Sequence, residues 1–252
     1  MVRKVTGDRI SDLVRRKIRL DDFWYRLIIK MLRSVVRGFD GKRILEVGCG
    51  FGGFCLYVAS AGANVIGLDV SSKAIHKAKN LAKQLKFQGQ MDFVIADAQF
   101  LPFKGHTSEI VVCAETLEHV PDYERAFSEL VRVTENLGYV CLTVPNLLST
   151  LLYEYIVLIL IGQPQYVKNE LCLEKEHVFH IFKLRKLLDK ENIKVTMIRC
   201  TDFLHFPPRV REALKISELL KVISQNIEDY LETHDLPLKY LGANIGVLVR
   251  KE

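Results

Sequence analysis

A glycine-rich bend that directly follows a short apolar run constrains the fold more than any other feature of this sequence. Residues 44–47 predict a buried strand, and Gly48, Gly50 and Gly53 follow it just where a helix is predicted over residues 53–60. Glycine permits a tight turn and lets a ligand approach bare backbone. Free N–H groups at a helix start attract a carboxylate or phosphate. The bend therefore predicts the first unit of an α/β domain with a ligand site.

The rest of the chain alternates apolar runs with amphipathic segments. Strands without a polar face, separated by helices, are typical of a parallel sheet covered on both faces. We therefore predict an α/β fold with a Rossmann-like, seven-stranded, mostly parallel sheet and helices on both faces. The predicted strands span residues 44–47, 64–68, 92–96, 109–114, 139–144, 194–200 and 244–250. The predicted helices that follow the first strand span residues 53–60, 71–85, 123–134, 183–191 and 208–232.

Two segments fall outside this alternation. Residues 1–40 form a predicted N-terminal helical arm, and residues 41–252 form the main domain, with a predicted lid insertion at about 145–182. The arm is basic, since the first 43 residues hold 13 Lys and Arg against 5 Asp. A basic arm can contact nucleic acid, anionic lipid or a phosphorylated acceptor, but a solvated helical face is the favoured interpretation.

Cysteine usage and hydropathy favour a cytoplasmic protein. The six cysteines show no C-x-x-C pair and no zinc spacing, and several lie in apolar runs. The N-terminus has no apolar core of the signal-peptide type. The longest apolar stretch, residues 147–162, is interrupted by polar residues and is shorter than the ~20 residues that span a bilayer. We predict no transmembrane helix and leave peripheral membrane contact open.

Spacing alone leaves the nucleotide ligand open. Gly48, Gly50 and Gly53 satisfy the dinucleotide pattern G-x-G-x-x-G, and Asp69 ends the second predicted strand, where a ribose-binding acid belongs. An NAD-dependent oxidoreductase is consistent with these residues. That interpretation gives no role to Asp97 or to the Glu-His segment at residues 115–119.

Five segments together resemble class I S-adenosylmethionine-dependent methyltransferases, in particular those that act on ubiquinone precursors and other small molecules. Four of these segments occur in the family's order and spacing within residues 43–144, and the fifth is similar to its last strand. The resemblance covers about residues 40–250 and leaves out the arm and the insertion. The segments are residues 46–52 (EVGCGFG), 67–71 (GLDVS), 96–103 (ADAQFLPF), 113–122 (CAETLEHVPD) and 241–250 (LGANIGVLVR).

The resemblance implies S-adenosyl-L-methionine as cofactor and S-adenosyl-L-homocysteine as product. Asp69 would bind the ribose hydroxyls, Asp97 the adenine amino group, and Glu46 would lie near the amino-acid part. The alternatives are a helix cap for Asp69, a plain loop acid for Asp97 and a buried helix-terminus partner for Glu46. The implied cofactor-binding residues are Glu46, Gly48, Cys49, Gly50, Gly52, Asp69, Val70, Asp97, Ala98 and Ala114.

The segment after the fourth predicted strand holds the candidate catalytic residues Glu115 and His119. Oxygen and nitrogen acceptors benefit from a base near the working pH, and an unperturbed imidazole has a pKa of ~6.5. The alternative is that these residues only begin a turn. A second alternative is a divalent ion at Glu115, Glu118 and His119, with His177 or His180 from the insertion. We assign no metal ligands.

The apolar insertion favours a small-molecule or lipid-like acceptor with a prenyl, acyl or aromatic part. A core helix or dimer contact would explain the same pattern. The basic arm leaves RNA or protein methylation as an alternative, although no RNA-binding module is evident, so the sequence does not favour nucleic acid. A catalytically silent adenosylmethionine-binding partner is the non-enzyme alternative. The sequence predicts neither the methylated atom nor the oligomeric state.

Overall fold

The fold is known from a computed structural model that describes most of the predicted α/β domain. The described residues are 23–85, 89–146, 177, 179–189, 191–201, 222–224, 226–227, 230–231 and 242–252. Residues 1–22 of the predicted arm, residues 147–176 of the predicted lid and most of the predicted helix at 208–232 lie outside them. No described helix combines the length and the apolar character needed to cross a membrane.

The described strands and helices follow one another largely as the sequence predicts. The helices are α1 (Phe23–Arg33), α2 (Gly53–Ser60), α3 (Ser72–Lys83), α4 (Tyr123–Val133) and α5 (Ile181–Leu188), with a 3₁₀ helix at Leu117–His119. The strands are β1 (Arg43–Val47), β2 (Asn64–Asp69), β3 (Met91–Ile95), β4 (Ser108–Ala114), β5 (Thr134–Pro145), β6 (Ile193–Thr201) and β7 (Asn244–Lys251).

The strands form one seven-stranded sheet in the order β3-β2-β1-β4-β5-β7-β6. The five strands β1 to β5 pair in parallel. β7 inserts between β5 and β6 and is antiparallel to both. The predicted α/β class with a mostly parallel, seven-stranded sheet is confirmed.

Helices cover the sheet on both faces because neighbouring strand residues point to opposite sides. Along β1, Ile44 belongs to the core under α1, α2 and α3, whereas Leu45 belongs to the core under α4 and α5. On α1, which packs on β5 and β7, Leu27, Ile28, Met31 and Leu32 are buried.

Helix caps explain several boundaries. Ser71 caps α3 as predicted, since its hydroxyl accepts a hydrogen bond from Ala74 N at 3.2 Å. The helix predicted near residues 123–134 ends one residue earlier, at Val133. Thr134 has an extended backbone, with φ −72° and ψ 138°, and begins β5. β5 is therefore longer than the predicted strand at 139–144.

Candidate functional site

The glycine bend after β1 is hydrogen-bonded to the end of β2. Gly48 N and Cys49 N both donate to Leu68 O, at 2.7 and 2.9 Å. Gly48, Gly50 and Gly52 have φ of 76°, 52° and 78°, in the left-handed region that L side chains rarely adopt. The sequence thus dictates a bend whose backbone only glycine forms without strain.

The surroundings of these glycines show where a ligand can approach. A Cβ on Gly48 would overlap the side chain of Thr116, and one on Gly52 would lie 2.8 Å from the ring of Phe93. A Cβ on Gly50 would meet nothing within 4 Å. Gly48 and Thr116 follow β1 and β4, the adjacent strands at which the sheet order reverses direction, where open α/β sheets bind ligands. Gly50 therefore presents the bare backbone to open space at this point.

Asp69 connects the bend to the tip of β2. Its Oδ2 accepts a hydrogen bond from Gly50 N at 2.8 Å, and its Oδ1 accepts one from Ser71 N at 2.8 Å. Ser71 is the residue that caps α3, so the cap proposed as an alternative for Asp69 is supplied by its neighbour. Each carboxylate oxygen of Asp69 has a further lone pair for a ligand hydroxyl.

Asp97 lies just beyond the tip of the neighbouring strand. Ala96 N donates to Asp69 O at 3.2 Å, so the two acidic residues follow adjacent strand ends. Asp97 is held by Gln99, whose side-chain amide donates to both of its carboxylate oxygens at 3.0 Å. Val70, directly after Asp69, is 74% exposed and offers an apolar surface beside the acids.

Besides Glu46, three of the predicted cofactor-binding residues have buried side chains. Cys49 is 1% exposed, Ala98 9% and Ala114 8%. These positions can therefore contribute backbone groups or the wall of a site rather than reactive side chains. The Sγ of Cys49 lies 3.8 Å from its neighbour's carbonyl oxygen, Gly50 O.

Glu46 is fully buried at the start of α2. Its Oε2 accepts hydrogen bonds from Cys55 N at 3.1 Å and Cys55 Sγ at 2.9 Å, and Tyr25 Oη donates to its Oε1 at 3.4 Å. Burial raises the pKa of the Glu46 carboxyl to about 8, against the lowering effect of these hydrogen bonds. These contacts match the alternative role of Glu46 as a helix-terminus partner, since Gly52 caps α2 without a side chain.

The segment after β4 holds the candidate catalytic residues. Glu115 has φ 44° and donates its N–H to Thr143 O at 3.0 Å, so its backbone is held in a strained conformation. The 3₁₀ helix follows, and the side chain of His119 is 55% exposed. His119 Nε2 lies 3.9 Å from Oε1 of Glu118, which is buried. His119 is therefore accessible from solvent, with a carboxylate close behind it.

The histidines considered as metal ligands contact protein groups instead. His177 N donates to Glu118 O at 2.7 Å, and His177 Nε2 lies 3.0 Å from Pro121 O. His180 caps α5, because its Nδ1 accepts from Lys183 N at 3.3 Å. Within the described part of the chain, no three His, Cys, Asp or Glu side chains gather closely enough to hold a metal ion.

A cavity of about 380 Å³ lies away from all of these residues. It opens beside the first residues of β1, β2, β3 and β4, and Leu45, Ile66 and Phe103 contribute its apolar walls. Parallel sheets bind ligands beyond the carboxyl ends of their strands, which is the opposite end. The glycine bend and the two acids therefore remain the candidate site.

Sequence reasoning missed two residues of this site. Thr116 packs against Gly48, and Gln99 holds the carboxylate of Asp97. The Asp-x-Gln spacing at residues 97–99 is compatible with a local hydrogen bond and was the available signal for Gln99. No sequence pattern links residue 48 to residue 116, because that contact arises only when β1 and β4 pair.

Comparison with known proteins finds similarity in the part of the chain that contains β1 to β5. Residues 45–142 match the family described as "Methyltransferase domain". Norajmaline N-methyltransferase from Rauvolfia serpentina is 36% identical over 93 residues, which is 36% of this chain and 32% of that protein. Sterol 24-C-methyltransferase from Saccharomyces cerevisiae is 39% identical over 99 residues, 39% of this chain and 26% of that protein.

A solved structure has a similar fold. The S-adenosylmethionine-dependent methyltransferase from Mesorhizobium loti has a TM-score of 0.58 and 16% sequence identity, covering 92% of this chain and 100% of that chain. By contrast, the similarity in sequence spans about a third or less of the length of the two named curated relatives.

Proposed function

We propose, on the premise that residues 45–142 form a class I S-adenosylmethionine-dependent methyltransferase domain, that this chain methylates a small-molecule or lipid-like acceptor. The observation that carries the proposal is the contact between the bend and the first acid. Asp69 Oδ2 accepts from Gly50 N, so a carboxylate and an open stretch of bare backbone lie side by side at the tips of β1 and β2.

The residues at this edge fit S-adenosylmethionine. Gly50 has open space where a side chain would stand, and Asp69 has lone pairs left for two ribose hydroxyls. Asp97 offers an acceptor to the adenine amino group, and exposed Val70 offers a surface to the purine ring. When bound, S-adenosylmethionine supplies a sulfonium methyl group that is already activated for displacement on carbon.

The protein's own part is alignment, exclusion of water and removal of a proton from the acceptor. His119 is the proposed base, because its imidazole is exposed in the segment after β4 and lies 3.9 Å from Glu118 Oε1. Glu115 is the other proposed catalytic residue, and its carboxylate is the second one in this segment besides that of Glu118. Its φ of 44° turns the chain sharply at the end of β4, which brings Thr116 against Gly48.

Two lines of reasoning support a small-molecule or lipid-like acceptor. The named relatives act, by their names, on norajmaline and on a sterol, and both are small organic molecules. One is an N-methyltransferase and the other a C-methyltransferase, so the relatives do not indicate which atom this chain methylates. The sequence between residues 147 and 162 is largely apolar, which is the composition expected of a segment that contacts such acceptors.

Binding of the cofactor tests the first half of the proposal. Isothermal titration of the full chain with S-adenosylhomocysteine should give saturable binding, and NAD should give none. Asp69→Ala should weaken this binding at least tenfold, whereas Asp92→Ala, on the exposed side of β3, should leave it unchanged. Binding of NAD in preference to S-adenosylhomocysteine would overturn the proposal.

Transfer of label tests the second half. S-adenosylmethionine carrying a labelled methyl group would be incubated with the protein and, separately, with lipid, small-molecule, RNA and protein fractions of a cell extract. We expect enzyme-dependent label in the lipid or small-molecule fraction. Label confined to RNA or protein would contradict the proposed acceptor class, and a chain that binds S-adenosylhomocysteine but labels no fraction would be a silent binding partner.

A further inference from the structure

The side chain of Gln99 makes an unusually complete set of contacts with the carboxylate of Asp97. Its Nε2 donates to Oδ1 and to Oδ2, at 3.0 Å each, and its backbone N donates to Oδ1 at 2.8 Å. Three hydrogen bonds from one residue thus hold both oxygens of the carboxylate. Such a group cannot rotate about its Cβ–Cγ bond without breaking at least two of them.

The opposite end of the Gln99 amide fixes its orientation. Gln99 Oε1 accepts a hydrogen bond from Asp122 N at 3.1 Å, and Gln99 O accepts one from Arg125 Nε at 2.9 Å. Because Nε2 faces two acceptors and Oε1 faces a donor, the two ends of the amide cannot be exchanged. Asp122 caps α4, so Gln99 ties the carboxylate of Asp97 to the start of a helix.

These contacts leave a defined acceptor on Asp97. Each carboxylate oxygen has two lone pairs. The hydrogen bonds from Gln99 use both lone pairs of Oδ1 and one of Oδ2, and among the described residues no other donor to the Asp97 carboxylate is found. The remaining lone pair of Oδ2 can accept one hydrogen bond from a ligand.

We propose that Gln99 is a positioning residue that makes the site selective for a 6-amino purine over a 6-oxo purine. This inference rests on the proposed function, in which Asp97 accepts from the adenine amino group. With the carboxylate fixed, a 6-amino group donates to Oδ2, whereas a 6-oxo group places a carbonyl oxygen against it. A carboxylate that is free to rotate can instead accept from the N1–H of the 6-oxo purine, so the selectivity depends on Gln99.

The test compares two ligands that differ only at this position of the base, S-adenosylhomocysteine and S-inosylhomocysteine. Their dissociation constants would be measured by isothermal titration for the wild-type chain and for Gln99→Met. The methionine keeps the length of the side chain and removes its hydrogen bonds. We expect the preference for the adenine ligand to fall about tenfold, the size of one charge-assisted hydrogen bond. Gln84→Met, on an exposed residue after α3, should keep the wild-type preference.

A second variant covers the case in which Gln99→Met does not fold. Gln99→Glu keeps an acceptor for Asp122 N but puts a carboxylate oxygen in place of the Nε2 donor that faces Asp97. The preference for the adenine ligand should therefore fall in this variant too. In an Asp97→Asn background, Gln99→Met should not change the ratio of the two dissociation constants further. That result would show that Gln99 acts through Asp97.

The outcomes separate this inference from the proposed function. Equal weakening of both ligands in folded Gln99 variants would show a merely structural role and overturn the inference, as would an unchanged ratio. A wild-type chain that binds neither ligand would instead overturn the proposed function. A wild-type chain that binds both equally would refute the selectivity while leaving cofactor binding intact.

Discussion

Two glycines of the same bend have different surroundings, although their backbones are alike. Gly48 and Gly50 both have positive φ, which costs an L side chain about 1–2 kcal/mol. Only at Gly48 would the added Cβ also overlap a neighbour, Thr116. We expect Gly48→Ala to lower the free energy of unfolding by about 1–3 kcal/mol more than Gly50→Ala, because a clash is added to the same strain.

Urea unfolding of the two variants measures this difference. Gly50→Ala should instead reduce affinity for S-adenosylhomocysteine, since its methyl group would stand in the open space offered to the ligand. Equal stability of the two variants would show that Thr116 moves aside at no cost.

Glu46 gives a pH-dependent prediction. Its folded pKa of about 8 lies above the ordinary value of 4.5, because burial disfavours the charge. Between these values the unfolded chain releases a proton that the folded chain keeps. The contribution of Glu46 to stability is therefore full below pH 4.5 and falls as pH rises towards 8, by at most about 1.4 kcal/mol per pH unit. Glu46→Gln removes this dependence.

The measurement is urea unfolding of wild type and Glu46→Gln at pH 5.5 and 7.5. Wild type should lose stability relative to the variant at the higher pH. Glu109→Gln is the control. Burial raises the pKa of Glu109, but the hydrogen bonds and charges of Lys42 and Arg43 together outweigh it and lower this pKa, so no change is expected in this window. A constant difference between wild type and Glu46→Gln would mean that Glu46 is already ionised at pH 5.5.

His119 is the residue whose loss should affect turnover rather than binding. If it removes a proton from the acceptor, His119→Ala should lower kcat about 10²- to 10⁴-fold and leave the affinity for S-adenosylhomocysteine within about twofold. His76→Ala, an exposed histidine on α3, should retain full activity. Unchanged kcat in His119→Ala would assign the imidazole a structural role.

At the scale of elements, a single substitution can probe the close approach of β7 to β6. A Cβ on Gly242, just before β7, would lie 2.6 Å from Thr201 O and 2.8 Å from Thr201 N. Backbone atoms of a paired strand cannot move aside without stretching the hydrogen bonds between the strands. Gly242→Ala should therefore cost about 1–3 kcal/mol of stability.

Gly38 provides the matched control for this substitution. It is exposed and has nothing within 4 Å of an added Cβ, so Gly38→Ala should change the free energy of unfolding by less than about 1 kcal/mol. Denaturant midpoints of the two variants give the comparison. A cost at Gly38 equal to that at Gly242 would mean that loss of glycine itself, rather than the contact with β6, is responsible.

Local patterns predicted most of the elements because their causes are local. Apolar runs gave β1 and β4, and Ser71 marked the start of α3. The early start of β5 was not predictable in this way. That part of β5 forms because Thr134 pairs with Ser108 across the sheet.

The site was predictable to the same extent. Asp69 and the glycines could be placed because a strand end and a helix start fix them locally. The environment of Glu46 could not, because it depends on Tyr25 from α1, 21 residues earlier, and on burial that the sequence does not reveal. The role of Gln99 depends likewise on Asp122, which the fold alone brings near.

For the molecule as a whole, ligand binding and stability should be linked. A ligand at 100 times its dissociation constant stabilises the state that binds it by about 2.7 kcal/mol. For a chain of 252 residues this corresponds to a rise in Tm of about 5–10 °C with S-adenosylhomocysteine. Thermal unfolding monitored by circular dichroism measures the shift, which NAD should not produce. Asp69→Ala should abolish the shift at the same ligand concentration, and a shift that survives it would place the ligand elsewhere.

The position of β7 has a consequence for how the protein is made. Among the described strands β7 is the last to be synthesised, yet it lies between β5 and β6. When β6 leaves the ribosome, the strand that joins it to the rest of the sheet does not yet exist, so β5 still has an open edge. The parallel strands β1 to β5 can assemble during translation, while the antiparallel part must wait for some 40 further residues to emerge. The nascent chain is therefore most exposed to non-native strand pairing along the open edge of β5, late in its synthesis.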